Sequence, residues 1–158
     1  MRIAVLYGGA SSEHKISVQT GMAIAESLSG KFDINLIHLK GHISSSLNDL
    51  LDADLVFNAL HGGDGENGTI QTYLDLHKII YTGSGSKASK IAMDKNLTKL
   101  IALSLGMSTP KWLLMKREGQ SDIRIQDHDF SKFGFPFVVK PSEEGSTHGL
   151  TIVEKIDD

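Results

Sequence analysis

Apolar residues in this chain come in short runs, separated by segments in which they recur every three or four positions. Ile3–Tyr7, Phe32–Leu39 and Leu55–Leu60 are runs of strand length. Between the first two, Val18, Met22, Ala25 and Leu28 fall at helical spacing within Glu13–Leu28, and Gly30 follows as a stop. Ser46–Leu51 reads as a short helix, Thr69–Leu76 as a second one, and Ile79–Tyr81 as a short fourth strand. Strands that alternate with helices imply βαβ units and a mainly parallel sheet.

Past Gly83 the pattern changes. Asp94 can cap a helix that carries Leu97, Leu100, Ile101 and Leu105 and closes at Gly106. Thr109-Pro110 breaks that helix, Trp112–Met115 reads as a strand, and Lys116–Asp129 is polar and expected to be exposed. Phe137–Lys140 and Leu150–Val153 are strands that flank the glycine- and hydroxyl-rich loop Pro141–Gly149 as a hairpin-like pair. The change of pattern puts a domain boundary in Gly83–Lys95, giving expected domains of residues 1–88 and 89–158. The expected class is α/β, a Rossmann-like parallel sheet followed by a smaller α+β unit.

Composition narrows the function. The 158 residues are 40% hydrophobic and 22% charged, enough for a core in an ordinary soluble protein. A net charge of -3 disfavours nucleic acid as a partner, which would call for a basic stripe. With no cysteine, neither disulfides nor thiolate metal sites are available. The apolar run after Met1 is too short for a signal-peptide core or a membrane span, so a cytoplasmic, membrane-free protein is expected.

Three segments carry candidate chemistry. His61–Gly68 packs four glycines, a histidine and two acids directly behind an apolar strand, which is where open α/β sheets place ligands. Gly8–Glu13 follows the first strand and opens a helix whose N–H groups attract anions. It lacks G-x-G-x-x-G spacing, so no dinucleotide fingerprint is present. In Phe133–Leu150, Lys140 ends an apolar strand, where a lysine is expensive to desolvate unless paired, and phosphate is a natural partner. Gly145, Ser146, Thr147, His148 and Gly149 then offer backbone donors and hydroxyls for phosphates, although the lysine precedes the glycines, unlike a Walker loop. Lys95, in the first turn of its helix, is a second candidate phosphate ligand. Among the histidines only His61 falls in a convincing site. His14, His38, His42, His77, His128 and His148 show no metal-ligand spacing and read mostly as surface residues, so no protein-borne metal site is expected in this chain.

In order along the chain, Leu6–Ser17, His61–Gly68, Tyr81–Gly85, Ala92–Lys95 and Phe137–Gly149 together resemble the D-alanine–D-alanine ligase family of the ATP-grasp superfamily. The resemblance implies a Rossmann-like pre-ATP-grasp domain followed by the first α+β lobe of an incomplete ATP-grasp unit. It implies ATP-dependent joining of two D-alanines through an acylphosphate, for peptidoglycan precursor synthesis. By motif position, Glu13 would hold the first substrate's ammonium and hydrogen-bond to Ser146. His61 would lie near the reacting carboxylate, with Ser17 and Glu66 in the substrate pocket. Lys95, Lys140, Gly145, Ser146 and Thr147 would bind ATP, the loop closing over the reacting phosphate. The expected partners are D-alanine, ATP and a second copy in a homodimer, with Mg²⁺ held by ligands beyond Asp158. His148 departs from the small apolar residue common at its position. Family members are about twice as long as this chain, so it is expected to be inactive alone. A non-catalytic ligand-binding or dimerising module, and a ligase for D-lactate or D-serine, are the alternatives.

Overall fold

The computed structural model describes residues 1–115, 130 and 133–155. The described chain divides into two compact units, Met1–Met93 and Asp94–Asp158. The division falls after α4 (Ser86–Met93), five residues beyond the expected limit at residue 88, because that helix packs on α3 (Thr69–Leu76).

The first unit is built on β1 (Arg2–Gly8), α1 (His14–Leu28), β2 (Asp33–Leu39), α2 (Leu47–Leu51) and β3 (Leu55–Asn58), with a 3-10 turn at Ile43–Ser46 ahead of α2. The sheet order is β2-β1-β3, and both pairings are parallel, with Val5 opposite Leu36 and Phe57. A parallel sheet is covered on both faces, so Ile3, Ala4, Val5 and Leu6 of β1 are all apolar and buried, alternate residues serving opposite sides. Ala4 and Leu6 join Leu50 of α2 and Ile70 and Leu74 of α3 in one core cluster, while Ile3 and Val5 face Ile24 and Leu28 of α1 in the other.

Two strand ends differ from the sequence pattern. The third strand stops at Asn58 instead of Leu60, because the Asn58 Oδ1 accepts the Leu60 N–H and turns the chain out of the ladder. Ile79–Tyr81 forms only a single parallel bridge, Tyr81 to Val56, not a full strand.

In the second unit α5 (Lys95–Ser104) starts at Asp94, whose carboxylate accepts the Leu97 N–H at 3.0 Å. Trp112–Met115 is not a strand. Trp112 is tied instead to α5, its Nε1–H donating to Asn96 Oδ1 at 2.9 Å and its ring lying under the Lys99 ammonium. β4 (Phe137–Val139) and β5 (Thr151–Val153) pair antiparallel with Val138 opposite Ile152, as the hairpin pattern predicts. The polar segment Lys116–Asp129, His128 included, lies outside the described residues. No described helix is long and apolar enough to cross a membrane.

Candidate active site

In the first unit β1 lies between β2 and β3, and the helices that follow β1 and β3 cover opposite faces of the sheet. Loops from such neighbouring strands part at their carboxyl ends and leave a crevice, the usual ligand position in open α/β sheets. Here those loops are Gly8–Glu13 and Ala59–Gly68.

The first loop begins with Gly8 at φ +94°, where a Cβ would stand 2.5 Å from the His38 ring, so only glycine fits. The Ser11 hydroxyl crosses to the second loop and donates to the His61 carbonyl, while accepting the Glu13 N–H. Ser17, one turn into α1, is completely buried. Its Oγ accepts the Gly8 N–H at 2.8 Å and donates to the Ala59 carbonyl at 2.7 Å. Ser17, expected in the substrate pocket, thus uses its hydroxyl to tie the two loops together.

Glu13, His61 and Glu66 converge, each offering one atom within 4.8 Å of the other two. His61 Nε2 lies 3.0 Å from Thr20 Oγ1, which leaves Nδ1 3.9 Å from the Glu66 carboxylate. Gly62, at φ +65°, brings the backbone so near Glu13 that a Cβ would sit 2.8 Å from Oε2. Two carboxylates and an imidazole, half-exposed at the rim of a sheet, offer acceptors suited to a cation with hydrogen-bonding protons. The same geometry is open to a metal ion, a grouping that a search for histidine spacing along the sequence did not reveal. Ser11 and His61 also line a cavity of about 500 Å³, together with Gly9, Leu39, His42, Ile70 and Tyr73 among others. Sequence reasoning also missed Thr20. Its signal was available, since Glu13, Ser17 and Thr20 follow the i, i+4, i+7 spacing of one helix face.

His38 is not a simple surface residue. It stacks on Tyr7 at 4.8 Å, faces His14 at 5.5 Å, and its Nε2 is buried without a hydrogen-bond partner among the described residues. Burial, and then the neighbouring Lys40 and His14, push its pKa below the ordinary histidine value.

The phosphate candidates lie in the second unit. The Lys95 Nζ donates to the carbonyls of Ser142 and Glu144, and its backbone N–H also bonds to Ser142 O. Burial lowers its pKa, and the charge of Lys140 lowers it further, against the opposing pull of Glu144 and Asp94. Lys140 itself is exposed, so the argument from its desolvation does not hold. What marks it is that its charge acts on Lys95 and lowers that lysine's pKa, a like-charge effect that an anion would relieve. Gly145–Gly149 is a turn bonded through His148 N–H to Gly145 O, with exposed Ser146 and Thr147 and with Ser146 at φ +53°.

Comparison with known proteins agrees with this architecture. The sequence model for the D-ala D-ala ligase N-terminus matches residues 38–84, and that for the D-ala D-ala ligase C-terminus matches residues 101–158. A D-alanine–D-alanine ligase of Aquifex aeolicus is 42% identical over 159 aligned positions, covering all of this chain and 52% of its own. A crystal structure of the Bacillus anthracis ligase superposes with a TM-score of 0.85 at 39% identity, over 99% of this chain and 50% of that one. A structure of the same enzyme complexed with ATP gives 0.83 at 38% identity, covering 99% and 49%. This chain spans about half the length of the relatives it matches. Matched in order by both halves of the family's description and along its whole length by named ligases, the chain belongs to the D-alanine–D-alanine ligase family.

Proposed function

We propose that this chain supplies the substrate-binding domain and the first ATP-binding lobe of a ligase that joins two D-alanines at the expense of ATP. The observation that carries the reading is the convergence of Glu13, His61 and Glu66 at the carboxyl edge of the sheet, in a chain of this family. The D-alanine carboxylate takes the γ-phosphoryl group of ATP, giving an acylphosphate and ADP. The amine of a second D-alanine then attacks the acyl carbon, loses a proton, and inorganic phosphate leaves. Glu13 holds the first ammonium, and Glu66 completes the acidic wall of the pocket. His61, kept in place by Thr20, stands beside the reacting carboxylate. Ser17 keeps the two loops in register.

The Lys95 and Lys140 pair and the Gly145, Ser146 and Thr147 turn have the donor chemistry that a triphosphate requires. Mg²⁺ would neutralise phosphate charge, and no residue of this chain is assigned to it. Catalysis by this set is positioning and charge neutralisation. The proposed assembly is a homodimer, to be read from its sedimentation.

The test is Glu13→Gln in the protein carrying both halves of the family fold, assayed by phosphate release with ATP, Mg²⁺ and D-alanine. A charge-assisted hydrogen bond contributes about 1.5–3 kcal/mol, so kcat/KM for D-alanine should fall roughly 10–150-fold. KM for ATP should stay unchanged. Normal D-alanine kinetics with weakened ATP binding would remove Glu13 from the proposed role, and the absence of turnover in the unsubstituted protein would remove the ligase reading itself.

A further inference from the structure

The turn that delivers Glu66 to the site is gripped from outside. Gly63–Gly65 is a single 3-10 turn, closed by N–H bonds from Gly65 to Gly62 O and from Glu66 and Asn67 to Gly63 O. The Gly65 carbonyl receives two side-chain donors, Gln71 Nε2 at 2.7 Å and Asn58 Nδ2 at 3.1 Å. Gln71 comes from α3 and is 5% exposed. Asn58 ends β3, and its Oδ1 takes the Leu60 N–H at 3.2 Å while its own N–H donates to Thr82 Oγ1 at 3.1 Å. Strand and helix thus hold one carbonyl between them.

The two ends of the Gln71 amide are treated unequally. Nε2 is bonded, whereas Oε1 is buried with no partner among the described residues. Rotating the amide would set its oxygen against the Gly65 oxygen, acceptor against acceptor, so the orientation is dictated by that carbonyl. An unsatisfied buried acceptor is destabilising, and a methionine or leucine would fill a similar volume without one. What the glutamine adds is a donor aimed at the residue that precedes Glu66.

We infer that Gln71 and Asn58 are positioning residues for the candidate substrate site. By fixing the Gly65 carbonyl they set the direction in which Glu66 leaves the turn and hold its carboxylate beside His61 Nδ1. The identity of the bound substrate rests on the ligase reading above, but the anchoring does not.

The experiment compares Gln71→Met, which has no donor, with Gln71→Glu, which donates only while its carboxyl is protonated. In the full chain, protection factors against amide exchange are measured for Gly65, Glu66 and Asn67, with Val5 of β1 as the reference for global stability. Gln71→Met should lose about tenfold protection at the turn at every pH, with Val5 unchanged. Gln71→Glu should match the wild type near pH 5 and lose protection as its carboxyl ionises on the way to about pH 9. If Gln71→Met does not fold, that pH dependence decides alone. Unchanged turn protection, a loss shared equally by Val5, or a loss in Gln71→Glu that ignores pH would each overturn the inference. A separate arm, in the protein with both halves, measures KM for each substrate. Gln71→Met should raise KM for D-alanine severalfold and leave that for ATP. No turnover in the unsubstituted protein would sink the ligase reading while leaving the exchange result standing.

Discussion

His38 shows what a list of residues cannot convey. In the sequence it is one more histidine on a strand; in the structure its ring is pressed between Tyr7, His14 and the Gly8 turn, with Nε2 buried. Its folded pKa lies below the ordinary value through burial and the nearby Lys40 and His14. Below about pH 6.5 the unfolded chain therefore accepts a proton that the folded chain resists, and stability present above that pH is lost as pH falls. One proton can contribute at most about 1.4 kcal/mol per pH unit. Urea titrations between pH 7.5 and pH 5 should show a steeper loss in the wild type than in His38→Phe, which keeps the stack on Tyr7 and cannot be charged. Identical slopes would mean that the His38 ring is not what titrates. Ser17 and Lys140 make the same point in opposite directions. The family resemblance marked Ser17 and its place at a strand end marked Lys140, but burial makes the first an internal brace and exposure removes the desolvation argument from the second.

At the scale of elements, legibility followed how local the cause was. Thr69–Leu76 was readable to the residue because its apolar stripe, Ile70 and Leu74, meets the core and the glycine-rich turn fixes its start. The helix capped by Asp94 was readable because the cap is a local bond. Ser86–Met93 was not, since its apolar content is low, the residue it buries is Ser89, and its start is fixed from a distance: Ser86 Oγ donates to Asp75 Oδ2 at 2.6 Å, and Tyr81 holds the other oxygen at 2.8 Å. Ile79–Tyr81 had the apolar content of a strand, but the ladder gave it one bridge. The cap yields a prediction. Asp94→Ala leaves the Leu97 N–H unsatisfied and should destabilise the second unit by about 0.5–2 kcal/mol, measured by urea unfolding followed through Trp112. Asp94→Asn should recover most of the loss, because an amide oxygen still accepts the bond. Equal stability of all three proteins would show that α5 is held without its cap.

Across the whole molecule, the two kinds of candidate chemistry belong to different compact units. The acidic cluster of Glu13, His61 and Glu66 lies within Met1–Met93, whereas Lys95, Lys140 and the Gly145–Gly149 turn lie within Asp94–Asp158. This division was largely present in the sequence, since a glycine-rich turn behind a buried strand and a lysine ahead of a hydroxyl-rich loop are separate signals. What the sequence did not contain was the action of the Lys140 charge on Lys95, which joins a hairpin and a helix distant along the chain. The division predicts where each ligand acts. In amide NMR titrations, inorganic pyrophosphate should shift Lys95 and Ser142–Gly149 first, and the effect should weaken as salt is raised, because the binding is charge-driven. Lys95→Met should reduce that response severalfold, since one of two candidate cations is lost and its contacts to Ser142 O and Glu144 O go with it. D-alanine should instead shift Glu13, His61 and Glu66. If pyrophosphate moves the Glu13 loop before the lysines, or if Lys95→Met responds like the wild type, the second unit does not hold the phosphate site.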